Sequence, residues 1–205
     1  MRTVDLTLTV EDGEPPYPGD PETEIQDTAT VEEDGYAAKR LSFSSHVGTH
    51  MDAPAHMLED GRSLDEFGVD RFVGDAVLVD VRGRDTVRPE AVRDAGVEDA
   101  GMALFRTGHA EAYGEDGYYD DHPVVAEETA RALVEAGVGV VGLDTPSPDE
   151  PPYRVHDTLL SNDVLLLENL VNLGALADDR FRCHALPLDV ADSDGAPCRV
   201  VAVMG

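Results

Sequence analysis

The sequence predicts an α/β fold built on mixed parallel and antiparallel sheets with flanking helices. Continuous apolar runs at residues 76–81 (AVLVDV), 102–105 (MALF) and 138–144 (VGVVGLD) suit strands buried on both faces. Helical segments lie between them, so the middle of the chain reads βαβαβ and should give parallel strands with right-handed crossovers. The last forty residues read instead as strands joined by a turn, the pattern of antiparallel pairing.

Taken in order, TVDLTLTV (residues 3–10) alternates Thr3, Asp5, Thr7 and Thr9 with Val4, Leu6, Leu8 and Val10, the period of a half-buried strand. EPPYPGDPE follows and is too rich in Pro and Gly for regular structure, so an ordered surface loop carrying Tyr17 is expected. PEAVRDAG (residues 89–96) is a short helix before the second central strand. PVVAEETARALVEAG is a longer one, running from Pro123 to Gly137 with Val125, Ala126, Thr129, Ala130, Leu133 and Val134 along one stripe. VLLLENL and then LPLDVADSDGAPCRVVAVM supply the closing strands, with a turn at residues 193–197. No repeat, linker or low-complexity tract interrupts the chain, and one domain over residues 1–205 is expected at this length.

Acidic residues number 43 against 15 basic ones, a formal charge of −28, while 41% of residues are hydrophobic and spread along the whole chain. Such a field repels nucleic acid and anionic lipid, so neither is expected as a partner. Lys39 is the only lysine, which fits a surface adapted to high salt better than a patch for basic partners. Cys183 and Cys198 form no C-x-x-C pair, the N-terminus has no apolar signal region, and no run approaches 18 apolar residues. A cytoplasmic protein is the expectation.

Three of the seven histidines fall in HVGTHMDAPAH, where His46, His50, Asp52 and His56 lie within eleven positions. Gly48 and Pro54 break a helix, so the segment is extended or looped. His50 and Asp52, two apart, then point to one side, and a turn at Gly48 can bring His46 round to join them. Imidazole nitrogen and carboxylate oxygen suit Zn²⁺ or Mn²⁺ with a coordination position left for water, whose pKa such an ion can lower to about 7. His56, four positions beyond Asp52, can sit outside the ligand set and shuttle the proton. The absence of G-x-S-x-G argues against a serine nucleophile.

HVGTHMDAPAH resembles the H-x-G-T-H-x-D-x-P-x-H signature of the metal-dependent cyclase family, to which bacterial kynurenine formamidases belong. YPGDP, DGRSLDEF, LFRTGH, GLDTPSPD, HDTLL and the closing DGAPCRVVAV are similar to family blocks in the family's order, so the resemblance covers nearly the whole chain. It implies a swivelling β/β/α-like fold, a homodimer or homotetramer, and one or two divalent ions, zinc or alternatively manganese. The ligands it implies are His46, His50, Asp52, His156 and Glu168, with Asp52 bridging and His56 as acid/base. A glutamate closing an apolar run, as Glu168 closes VLLL, is costly to bury without a cation or donors. His109, His122 and His184 receive no role.

The activity implied is hydrolysis of N-formyl-L-kynurenine to kynurenine and formate, a step of tryptophan catabolism. Formamidases usually have Trp where Tyr17 stands and many have Phe where Met57 stands, so the aromatic expected against an aryl substrate is here a tyrosine. Isatin and other small cyclic amides or esters are the alternative substrates. A metal-stabilised binding protein without turnover is the alternative from another class.

Overall fold

The structure, a computed structural model, describes residues 1–205. The first strand is shorter than its alternation suggests: β1 (Arg2–Asp5) pairs antiparallel with the last strand, and beyond it Thr7 makes only a single bridge to Leu170. The Pro-rich loop is irregular as expected. β2 (Glu24–Ala29) and β3 (Ala38–Ser42), joined through the short α1 (Val31–Asp34), form a separate antiparallel hairpin. Its residues are nearly all exposed, so no apolar alternation announces it.

β4 (His50–Asp52) is followed by β5 (Val73–Asp80), β6 (Thr86–Val87), α2 (Pro89–Ala95), β7 (Met102–Arg106), β8 (Val124–Val125), α3 (Glu127–Glu135) and β9 (Val140–Leu143). α2 starts with Pro89 and stops at Gly96 in the left-handed region, φ +61°, as its sequence requires. α3 begins four residues after the expected start at Pro123. Val124 and Val125 pair instead with Thr86 and Val87, and the Ala126 N–H donates to the Val87 carbonyl. Two β-branched residues beside an available edge complete a ladder better than a first helical turn. The buried stripe of α3 is thus Thr129, Ala130 and Leu133.

α4 (Arg154–Leu160), β10 (Leu165–Glu168), β11 (Arg180–Pro187) and β12 (Gly195–Met204) complete the chain. β10 does not join the closing hairpin; it lies parallel to β9 and antiparallel to β4. The hairpin is β11 against β12, and its connection covers residues 188–194 rather than 193–197. Gly195, Ala196 and Pro197 are already strand because β4 pairs with them.

The main sheet has the order β1-β12-β11-β5-β7-β9-β10-β4, and the additional β4–β12 pairing closes it on itself. β5, β7, β9 and β10 run parallel, as the βαβαβ pattern demands, and the remaining pairings are antiparallel. Side chains alternate across this wall. Ala76, Leu78, Met102, Leu104, Leu165 and Leu167 join one apolar cluster with Met51, Ala185 and Val200. Val77, Val79, Ala103, Phe105, Val141 and Leu166 join a second, packed under the helices through residues such as Val92, Leu133 and Leu159. Burial on both faces is why these strands read as unbroken apolar runs. No helix is long and apolar enough to cross a membrane.

Candidate metal centre

The centre forms where β4 is clasped between β10 and β12. In β4 the pleat sends Met51 into the apolar interior and His50 and Asp52 to the opposite face. Antiparallel register sets Glu168 across from His50 and Leu166 across from Asp52, so the carboxylate ending β10 shares the face of the two β4 side chains. Gly48 adopts φ +58° and supplies the expected turn. His46 is thereby returned onto Asp52, with Nδ1 2.8 Å from Oδ1. Gly195 lies across from Asp52 in β12, and a Cβ there would come within 2.8 Å of His46 Cε1, so glycine leaves the space the imidazole occupies.

His156 arrives from α4, two residues into the helix and buried. His50 Nε2 stands 3.3 Å from both Asp52 Oδ1 and Glu168 Oε2, and His156 Nε2 stands 3.6 Å from Glu168 Oε1. The donor atoms of His46, His50 and Asp52 lie within 4.8 Å of one another, as do those of Asp52, His156 and Glu168. Asp52 belongs to both groups. All five residues expected as ligands are therefore gathered in one place.

The outer nitrogens of the three imidazoles are also engaged, and this the sequence reading missed. His50 Nδ1–H donates to the Gly48 carbonyl at 2.9 Å, His156 Nδ1–H to Asp149 at 2.5 Å, and His46 Nε2–H to Asp194 at 3.0 Å. Such bonds fix ring orientation and leave the opposite nitrogen toward the shared carboxylates, the arrangement common to metal-ligating histidines. Asp149 lies in GLDTPSPD and Asp194 in the closing block, but no local spacing couples either to its histidine. Asp149 also accepts the Val155 N–H at 2.5 Å, tying the start of α4 to the loop before it. Asp149→Asn is expected to weaken metal affinity about 10- to 100-fold, read by competition with a chelator.

The donor set fits a divalent ion. Glu168 Oε1 is buried with no hydrogen-bond partner, an expensive arrangement unless a cation faces it. Charge at the histidines points the same way. Burial opposes the imidazolium of His156, yet Asp149 and Glu168 push its pKa up to about 10. Burial likewise opposes a charged His50, and Asp52 and Glu168 still hold its pKa well above the usual value. Asp52, despite burial, is held well below the ordinary carboxylate range by His50 and His46. These carboxylates draw positive charge into a desolvated pocket, and a bound dication would supply it with the imidazoles as neutral ligands.

His56 is half-buried beside the cluster, its ring centroid 4.1 Å from that of His46 and its Nδ1 3.7 Å from Asp194 Oδ2. Burial lowers its pKa, outweighing the opposing pull of Asp52, so the neutral ring predominates at pH 7. Tyr17 lines the same cavity of about 420 Å³ as His46, His50, His56, His156 and Glu168. Three more tyrosines that sequence reading passed over line it too: Tyr113, Tyr119 and Tyr153. His109 and His122 face a separate depression, with ring centroids 6.0 Å apart.

This fold and this donor cluster define a protein with a preformed site for a divalent metal ion at the rim of a closed α/β sheet. The chain belongs to the cyclase family, whose model matches residues 4–150. It is 34% identical to the kynurenine formamidase of Salinibacter ruber (strain DSM 13855 / M31), over 98% of this chain and 97% of the relative. The kynurenine formamidase of Erythrobacter litoralis (strain HTCC2594) is also 34% identical, over 98% and 93%. Among solved structures, isatin hydrolase A from Labrenzia aggregata superposes with a TM-score of 0.86 at 26% identity, covering 98% of this chain and 93% of that one. A potential metal-dependent hydrolase with cyclase activity gives 0.82 at 28% identity, covering 98% and 96%.

Proposed function

We propose that the protein is a metal-dependent amidohydrolase that converts N-formyl-L-kynurenine to kynurenine and formate. The observation that carries the metal-dependent part is the convergence of three imidazoles and two carboxylates around the buried, unpartnered Glu168 Oε1. The full-length similarity to kynurenine formamidases supports the substrate. In this reading His46, His50, Asp52, His156 and Glu168 would hold one or two divalent ions, Zn²⁺ or Mn²⁺. When bound, such an ion polarises the scissile carbonyl and acidifies a water molecule.

The remaining work belongs to side chains. His56 enters the reaction neutral, takes a proton from the attacking water and delivers it to the departing nitrogen. Asp194, 3.7 Å from His56 Nδ1, stabilises the imidazolium that exists between those two transfers. Tyr17 and Tyr119, packed edge to face with centroids 5.6 Å apart, offer an aromatic wall to an aryl group.

The second reading, hydrolysis of a cyclic amide such as isatin, is supported by the likeness to isatin hydrolase A. Protein loaded with Zn²⁺ or Mn²⁺ and assayed in molar salt, as its charge of −28 recommends, separates the two. Formate release from N-formyl-L-kynurenine, outpacing the opening of isatin, is the expected result. The opposite ranking makes the cyclic amide the substrate, and no turnover of either overturns both.

A further inference from the structure

The metal-ligating face accounts for one end of the cavity, but Glu14 is left without a task. It lines the same cavity, and it precedes the Pro15-Pro16 pair that stiffens the loop carrying Tyr17. Glu14 Oε2 accepts the Tyr113 hydroxyl at 3.1 Å and the Glu11 N–H at 3.3 Å. Glu14 Oε1 is buried and has no hydrogen-bond partner. Apart from Glu168 Oε1, no other buried side-chain nitrogen or oxygen in the molecule is left so. A carboxylate engaged on one oxygen only is short of a donor, and leaving it so costs free energy.

The rest of the lining says what kind of donor fits. None of the 24 lining residues is Lys or Arg, whereas Glu14, Asp20 and Glu168 are acidic. A ligand cation finds Glu14 together with the faces and hydroxyls of Tyr17, Tyr113, Tyr119 and Tyr153. Tyr113 keeps its proton, because burial and the adjacent Glu14 raise its pKa, and so it stays a donor that anchors the carboxylate. Tyr119 in turn donates to the Pro15 carbonyl at 2.9 Å, holding the loop against the tyrosines. Glu14 is thus fixed in place rather than free to swing into solvent.

We propose that Glu14 is a specificity-determining residue that receives the ammonium group of the substrate, so that the cavity selects aryl amides bearing a protonated aliphatic amine over neutral ones. This inference rests on the amidohydrolase reading and deepens it. N-formyl-L-kynurenine carries such an amine. Isatin does not.

Glu14→Gln tests it, since glutamine keeps the shape and an acceptor for Tyr113 but loses the charge. The quantity to read is the ratio of kcat/KM for N-formyl-L-kynurenine to that for 4-(2-formamidophenyl)-4-oxobutanoate, which keeps the scissile bond and the carboxylate and lacks only the amine. The ratio is expected to fall about 10- to 100-fold in the variant, the size of one hydrogen bond to a charged group. A ratio within twofold of the parent overturns the proposal, whether both rates hold or both fall together as a loop tether would make them. Calorimetric binding of L-kynurenine against 4-(2-aminophenyl)-4-oxobutanoate, which lacks only the aliphatic amine, reads Glu14 without any turnover. Loss of the preference for L-kynurenine in the variant supports the assignment, and an unchanged or absent preference in the parent overturns it. If the parent hydrolyses neither amide yet retains that binding preference, the amidohydrolase reading fails while the ammonium site stands.

Discussion

Asp52→Asn is expected to abolish metal retention through dialysis and to lower kcat/KM for the amide substrate by about 10³-fold or more, since a bound ion supplies several kcal/mol of charge stabilisation. Asp52 is 1% exposed and is the one residue common to the two donor groups that share the β4 face. Its Oδ1 lies 2.8 Å from His46 Nδ1 and 3.3 Å from His50 Nε2, so one oxygen faces both imidazoles. Asparagine fills the same volume, and the fold around β4 should survive. What disappears is the negative charge common to the donor groups that His46, His50 and His156 complete. Metal content by mass spectrometry, alongside a thermal melt, separates this loss from unfolding. A folded variant that keeps its metal and its rate would remove Asp52 from the centre.

His56→Ala is expected to act on chemistry alone, lowering kcat by about 10²- to 10⁴-fold, the range of a general acid/base, with metal content unchanged. The ring lies beside the ligand set, its centroid 4.1 Å from that of His46 and 6.0 Å from that of His156. Its pKa is lowered from the usual histidine value by burial, and a nearby dication would lower it in the same direction. The base must be neutral to accept a proton, so parent activity falls as pH drops through that lowered pKa and is full above it. That acidic limb should be missing from the His56→Ala profile. Loss of metal in the variant would instead make His56 a ligand, through the group it forms with His46 and Asp194.

Much of the frame was legible because burial leaves a mark on sequence. Strands covered on both faces by apolar side chains are themselves apolar throughout, so β5, β7 and β9 appear as apolar runs with α2 and α3 between them. Boundaries were less legible where a strand pairing competed with a local preference. Val124 and Val125 left the helix for β6, and Gly195 to Pro197 left the turn for β4. The exposed β2–β3 hairpin and the four-residue approach from Pro151 to α4 left no periodic trace at all.

The contiguous part of the centre is set by neighbouring residues alone. In an extended segment, alternation puts His50 and Asp52 on one side, and Gly48 permits the turn that returns His46, all within seven residues. Resemblance to a family then pointed to His156 and Glu168. It takes the folded chain to set Glu168 across from His50, to bring Asp149 and Asp194 to the outer nitrogens of His156 and His46, and to place Glu14 in the cavity of those histidines. The reason is one of range. Backbone geometry correlates side chains only over a few residues, whereas contacts between β4, β10, α4 and the Tyr17 loop depend on strand register and sheet closure, which the whole core fixes together.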